Sequence, residues 1–181
     1  LEPVQIEVEV KTSVPGNAEI QVLDGERIVA SGKKISEKRA LSKKETAVPE
    51  AVFLLEIPDA KLWNPDSPYL YTLKATFGND QVYESFGVRT LHWNECDGMT
   101  INGKRVILRG ACVHHDNGLL GACTFPEAEE RKVRILKENG YNAIRSSHYP
   151  CSKALLDACD RQGMLMMDEY VDVWYIHKTR Y

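Results

Sequence analysis

Three short polar clusters stand out: His114-His115-Asp116, Arg145-Ser146-Ser147-His148, and Asp168-Glu169 with Asp172 close behind. Imidazoles and carboxylates move protons near neutral pH, and a guanidinium such as that of Arg145 is a fixed cation that suits a carboxylate partner. Metal binding is the first chemistry to weigh. Zinc accepts tetrahedral N and O ligands, and His114, His115, Asp116 and His148 could supply them. Neighbouring histidines on a strand point to opposite faces, however, so only one of the pair readily joins the others. There is no HExxH motif either, and no bound metal is expected.

Carboxylate chemistry is the second possibility. Glycoside hydrolysis uses two carboxyl groups, about 5–5.5 Å apart for retention and wider for inversion. Asp168 and Glu169 are adjacent and face opposite ways, so a pair needs partners on different strands, Asp116 and Glu169 for example. Side chains of these types also suit sugar hydroxyls, with Tyr149 or Trp174 available to cover an apolar ring face. A nucleophilic triad is the third. Ser146, Ser147 and His148 are contiguous, which is not triad geometry, and no G-x-S-x-G elbow occurs. Cys151, after Pro150, reads as a spectator at a helix start. Neither G-x-G-x-x-G nor a Walker pattern is present, so nucleotide cofactors drop out and no cofactor is expected.

Composition narrows the partners. The chain has 181 residues, with 23 Lys+Arg against 26 Asp+Glu and a formal charge of -3, so it offers no basic field for a nucleic acid. No run of 18 apolar residues appears, and no membrane span is expected. The 5 cysteines are odd in number and widely spaced, which fits neither a disulfide scaffold nor a paired CxxC zinc site.

Two kinds of element must position the clusters. Residues 1–86 read as antiparallel sheet: Val4, Ile6, Val8 and Val10 alternate with polar residues, and further strands are expected at 19–23, 28–30, 52–57, 71–77 and 82–86. Such short, regularly spaced strands favour a two-layer immunoglobulin-like sandwich. The basic stretch 33–44 is expected as a solvated loop or edge. The segment 62–71, with two prolines, Trp63, Tyr69 and Tyr71, is expected as a long loop fixed to the sandwich core.

After Gly87 the pattern changes. Asn102-Gly103 marks a hairpin turn between 99 and 106, and an apolar strand over 106–113 leads into the first polar cluster. Thr124, with Glu127 three residues on, is a candidate capping box for a helix over 126–138. A strand at 142–145, a helix at 152–161 with Leu155, Leu156 and Cys159 on one side, and a strand at 164–167 follow. Strand, helix, strand, helix, strand is the signature of a parallel sheet, and each polar cluster falls at a strand's carboxyl end, where such sheets bind ligands. Helix capping and loop stabilisation are the competing explanation for those residues. Residues 99–181 are too few for the roughly 250 of a closed (β/α)8 barrel, so they are expected to form either a small open α/β unit or, as the unpatterned segment 175–181 favours, a piece of something longer.

An ordered set of segments carries a specific resemblance. It comprises Leu62-Trp63-Asn64-Pro65 with Pro68-Tyr69-Leu70-Tyr71, then Phe86-Gly87-Val88-Arg89, then 101–110, His114-His115-Asp116, 142–150, 159–164 and Met167-Asp168-Glu169. Over roughly residues 50–175 the chain resembles glycoside hydrolase family 2, the bacterial β-galactosidases and β-glucuronidases among them. The resemblance implies an immunoglobulin-like β-sandwich over 1–90, a linker at 91–98, and the first three strands of a (β/α)8 TIM barrel over 99–181.

It also implies a retaining enzyme for terminal β-linked sugars, with β-galactosides ahead of β-glucuronides. The acid/base and nucleophile glutamates would lie on later strands outside this sequence, so the isolated chain is expected to be inactive; Glu95, though it follows Asn94, precedes the barrel and cannot serve. By the same resemblance the substrate-binding candidates are Asp116, His148, Arg145 and Trp174, with Arg145 expected as a support at its strand end paired with an active-site carboxylate, while Arg109 and Asp168 orient neighbours. Arg89 is expected at a domain interface or in a core ion pair. The His-His-Asp setting of Asp116 departs from the His-Glu-Asp and His-Glu-His of other branches and blurs the choice of sugar. The expected partner is a carbohydrate, with a homo-oligomeric parent and self-association of the chain through open barrel edges. A non-catalytic carbohydrate-binding or scaffold module is the main alternative, and a metal-dependent hydrolase the lesser one.

Overall fold

The computed structural model describes residues 3–38 and 48–170. They divide into two compact units, one formed by the described residues up to Lys61 with Leu70–Val88, the other by Leu62–Tyr69 and the described residues from Arg89 onward.

The first unit is antiparallel. Its strands are β1 (Val4–Lys11), β2 (Gly16–Asp24), β3 (Arg27–Lys38), β4 (Pro49–Ile57), β5 (Tyr71–Phe77) and β6 (Asp80–Phe86), in the order β1-β4-β3-β2-β5-β6. The period-two pattern places Ala18, Ile20 and Val22 of β2 and Ala51, Phe53, Leu55 and Ile57 of β4 in the core. β3 pairs with β2 along most of its length but with β4 only at Glu37 and Lys38, so it passes from one layer of the sandwich to the other. The layers meet closely at Gly32, where a Cβ would lie 2.9 Å from the Phe53 ring. This is the immunoglobulin-like sandwich. The basic stretch is not a loop as far as Lys38: it continues β3, with Lys33 paired to Glu19 at 2.9 Å, because the strand's outer face takes charge freely. Residues 39–44 of that stretch lie outside the described residues.

The second unit begins with a meander of β7 (Leu91–Asn94), β8 (Gly98–Ile101) and β9 (Lys104–Arg105), so the segment expected as a linker carries a strand and its turn. Asn102 and Gly103 have φ of 51° and 74°, the doubly left-handed geometry of a primed hairpin turn. Three parallel strands follow, β10 (Gly110–Val113), β11 (Ala143–Ser146) and β12 (Leu165–Met167), side by side in chain order. Helices α1 (Pro126–Glu138) and α2 (Lys153–Gln162) connect them. Val133, Ile144, Leu155, Ala158, Cys159 and Met164 form the core between helices and sheet. This is the start of a TIM barrel.

Other local expectations fail as well. Thr124 does not cap α1: the cap position is Phe125, with no side-chain hydrogen bond, because the helix starts one residue later than a Thr124 cap requires. Leu156 is 36% exposed, since the buried side of α2 runs through Leu155, Ala158 and Cys159. The loop containing Trp63 belongs to the second unit rather than to the sandwich core. Trp63 is buried there, its Nε1 donates to Asp160 O at 2.8 Å, and the Arg89 guanidinium lies 4.7 Å over its ring. Lys137 Nζ donates to Pro65 O at 2.6 Å and to Gly163 O at 2.9 Å, and burial lowers its pKa from the ordinary lysine value.

Candidate functional site

Strand parity decides which side chains meet. On β10, Val113 packs into the helix-side core, so Cys112 and, past the strand end, His114 turn to the other face. On β11, Ile144 and Ser146 are buried while Arg145 shares the face of Cys112: its Nη1 is 3.9 Å from Cys112 Sγ. His148 follows on the same side, after a cis Ser147–His148 peptide, with its ring edge-on to His114 at 5.7 Å between centroids. His115 takes the opposite side and stacks on Tyr149 at 5.0 Å. Of the two adjacent histidines, His114 therefore joins His148.

β12 supplies the group that ties the cluster together. Arg145 is in register with Met167, so Glu169, two residues further on, returns to the same face. Arg145 Nε donates to Glu169 Oε1, and His148 Nδ1 lies 2.9 Å from Glu169 Oε2. The Arg145 hydrogen bond, then the His148 contact, holds the Glu169 carboxyl below the usual glutamate range. Glu169, read from the sequence as a cross-strand partner for Asp116, is the carboxylate that pairs with Arg145, and it holds His148 as well. Its signal was legible as parity across a parallel register.

Asp168 faces the other way and has a different task. Burial opposes its ionisation, yet hydrogen bonds from the Cys151 N–H and the Ser146 hydroxyl leave its carboxyl below the ordinary value. Its Oδ1 accepts from Ser146 Oγ at 2.9 Å and from Cys151 N at 3.0 Å, joining the ends of β11 and β12. Arg109 sits at the opposite, amino end of the sheet, where its Nε donates to Gly140 O at 2.9 Å.

Asp116 stands just beyond β10 in a separate, tightly tied loop. Its Oδ1 accepts from Gly118 N at 2.9 Å, at the start of a short 3-10 turn (Gly118–Leu120). Asn117 Nδ2 donates to Cys123 O at 2.7 Å and to the buried Glu129 Oε1 at 3.3 Å, which anchors the loop to α1. Lys132 Nζ, 3.0 Å from Glu129 Oε2, offsets that buried charge. Trp174 and Asp172 lie outside the described residues. Among the described residues no group of three or more His, Cys, Asp or Glu is arranged to hold a metal ion.

A cation and an imidazole held by one carboxylate, with a second imidazole beside them at the carboxyl edge of a parallel sheet, are groups chemically suited to hydroxyl and oxyanion ligands. A family model described as "Glycosyl hydrolases family 2" matches residues 2–89, and one described as "Glycosyl hydrolases family 2, TIM barrel domain" matches residues 95–176. The chain belongs to glycoside hydrolase family 2.

Among its family 2 relatives, β-galactosidase BoGH2A of Bacteroides ovatus is 41% identical over 157 residues, which are 83% of this chain and 18% of that protein. A β-glucuronidase of Bacteroides fragilis is 32% identical over 162 residues, 85% of this chain and 23% of that one. A solved family 2 structure from Bacteroides cellulosilyticus superposes with a TM-score of 0.81 at 37% identity, covering 98% of this chain and 24% of the other. The chain thus spans about a fifth of the length of the curated relatives it matches.

Proposed function

We propose that the full-length protein is a retaining β-glycosidase that releases terminal β-linked sugars, β-galactosides ahead of β-glucuronides, and that this chain contributes part of its sugar-binding rim. The carrying observation is the Arg145–Glu169–His148 cluster with His114 beside it, at the carboxyl edge of a parallel sheet in a family 2 chain. In this reading Asp116, Arg145, His148 and His114 face the sugar, and Trp174 joins them on the resemblance alone. Asp116 keeps a carboxylate oxygen beyond the one spent on Gly118, suited to accept from sugar hydroxyls. The order of sugars follows the relatives: the β-galactosidase is 41% identical, the β-glucuronidase 32%. A homo-oligomeric full-length protein belongs to the same reading and is checked by its mass in solution.

The test uses the full-length protein on aryl β-galactoside, β-glucuronide and β-mannoside. Asp116→Ala and His148→Ala are each expected to lower kcat/KM roughly 10–100-fold, the loss of about 1.5–3 kcal/mol that a hydrogen bond involving a charged group supplies. The isolated 181-residue chain is expected to show no turnover, because the resemblance puts both catalytic glutamates on later strands. Binding of these sugars without hydrolysis by the full-length protein would turn the reading to a non-catalytic carbohydrate-binding module.

A further inference from the structure

We propose that Glu169 is a positioning residue that fixes His148 in its Nδ1-protonated form and so dictates what the other ring nitrogen presents to the sugar. An ionised carboxylate has acceptors only, so the 2.9 Å contact between Glu169 Oε2 and His148 Nδ1 requires the proton on Nδ1. In the neutral ring Nε2 is then a bare acceptor, matched to a hydroxyl donor; in the protonated ring it becomes a donor. The second oxygen of Glu169 is engaged by Arg145 Nε, which keeps the carboxylate ionised and prevents it from turning away. Among the described residues Arg145 Nη1 meets only the weak acceptor Cys112 Sγ, so the guanidinium's strong bond in this cluster is the one to Glu169.

Stability does not explain the arrangement. The side chains of Arg145, His148 and Glu169 are 46%, 38% and 21% exposed, and ion pairs so open to solvent contribute little to folding. The core beneath, at Val133, Ile144 and Leu155, is complete without them. Residues 145, 148 and 169 come from two strand ends that meet through parallel register, and one carboxylate serves both partners.

The kinetic part rests on the reading that His148 contacts sugar, whereas the protonation part stands alone, and the experiment separates them. Nitrogen-15 NMR of the histidine rings in this chain, at a pH above the imidazole range, reads the proton's position directly; His148→Asn identifies its signals among the 5 histidines. His148 is expected with Nδ1 protonated and Nε2 bare. In Glu169→Gln, whose amide can donate to Nδ1, the proton is expected to move to Nε2, and Glu169→Ala is expected to weaken the preference. In the full-length enzyme, Glu169→Gln is expected to lower kcat by about tenfold or more with a smaller change in KM, and Glu169→Gln with His148→Ala to be no slower than His148→Ala alone. A wild-type His148 protonated on Nε2, or a Glu169→Gln chain whose ring signals do not change, overturns the positioning role. A proton that moves as expected beside a His148→Ala enzyme of unchanged kinetics upholds the positioning role and removes His148 from the sugar site.

Discussion

Cys151 and Cys159 differ from the other thiols by burial. Desolvation, with Asp168 beside it, pushes Cys151 up to about 11, and desolvation with Cys151 nearby pushes Cys159 up to about 12, whereas Cys96, Cys112 and Cys123 are exposed. Only a thiolate attacks iodoacetamide, so at mildly alkaline pH the three exposed cysteines should alkylate first, as peptide mass spectrometry will read. The folded state holds the protons of the half-buried Cys151 and the buried Cys159 more tightly than an unfolded thiol of pKa about 8.5, so stability should be level below that pH and fall as pH rises toward 11–12. Denaturant melts across that range test the sign. Gly163 and Gly140 offer a second contrast. Both have positive φ, 72° and 84°, yet a Cβ at Gly163 would lie 2.2 Å from Pro65 O while one at Gly140 meets nothing. Gly140→Ala should cost roughly 1–2 kcal/mol for the left-handed backbone. Gly163→Ala should cost about 1–3 kcal/mol more for the clash, visible as the larger drop in Tm.

Helix α2 begins at a working cap: Ser152 Oγ accepts from Leu155 N at 3.1 Å. Ser152→Ala should therefore destabilise by about 1 kcal/mol, and Thr124→Ala, at a residue that caps nothing, should leave chemical denaturation unchanged. The same contrast shows what local pattern reveals. The limits of α1 and the Asn102-Gly103 turn were legible because proline and left-handed preferences act over a few residues, even though the Thr124 cap did not form. The strand expected over 106–113 shortens to Gly110–Val113 because a distant side chain replaces the ladder: Asn142 Oδ1 accepts from Arg109 N at 2.7 Å and Nδ2 donates to Ile107 O at 2.9 Å. The candidate site was legible as polar strand ends, but the choice of His114 and the task of Glu169 depend on parity between strands whose partners, such as Arg145 with Met167 and Cys112 with Arg145, are far apart in the chain, which no short window contains.

At the scale of the whole molecule, one face of the second unit is conspicuously apolar. Leu91, Trp93, Leu108 and Met167 are exposed around a hollow that Met99 and Leu165 also line. Contiguous apolar surface of this kind promotes association, so sedimentation of the isolated chain should show a mass that rises with concentration, and Trp93→Glu should reduce it. A monomer at every concentration would count against that expectation. The Trp63 loop has a different consequence. Residues 62–69 lie in the sequence between β4 and β5, yet they pack with the chain from Arg89 onward. Anyone trimming the gene at Val88 to express the downstream portion would discard an internal buttress, taking from the Lys137 ammonium one of its two carbonyl acceptors and emptying the indole seat beside Asp160. Recombination between relatives faces the same obstacle, since a borrowed sandwich brings its own version of that buttress and must match the recipient at Gly163.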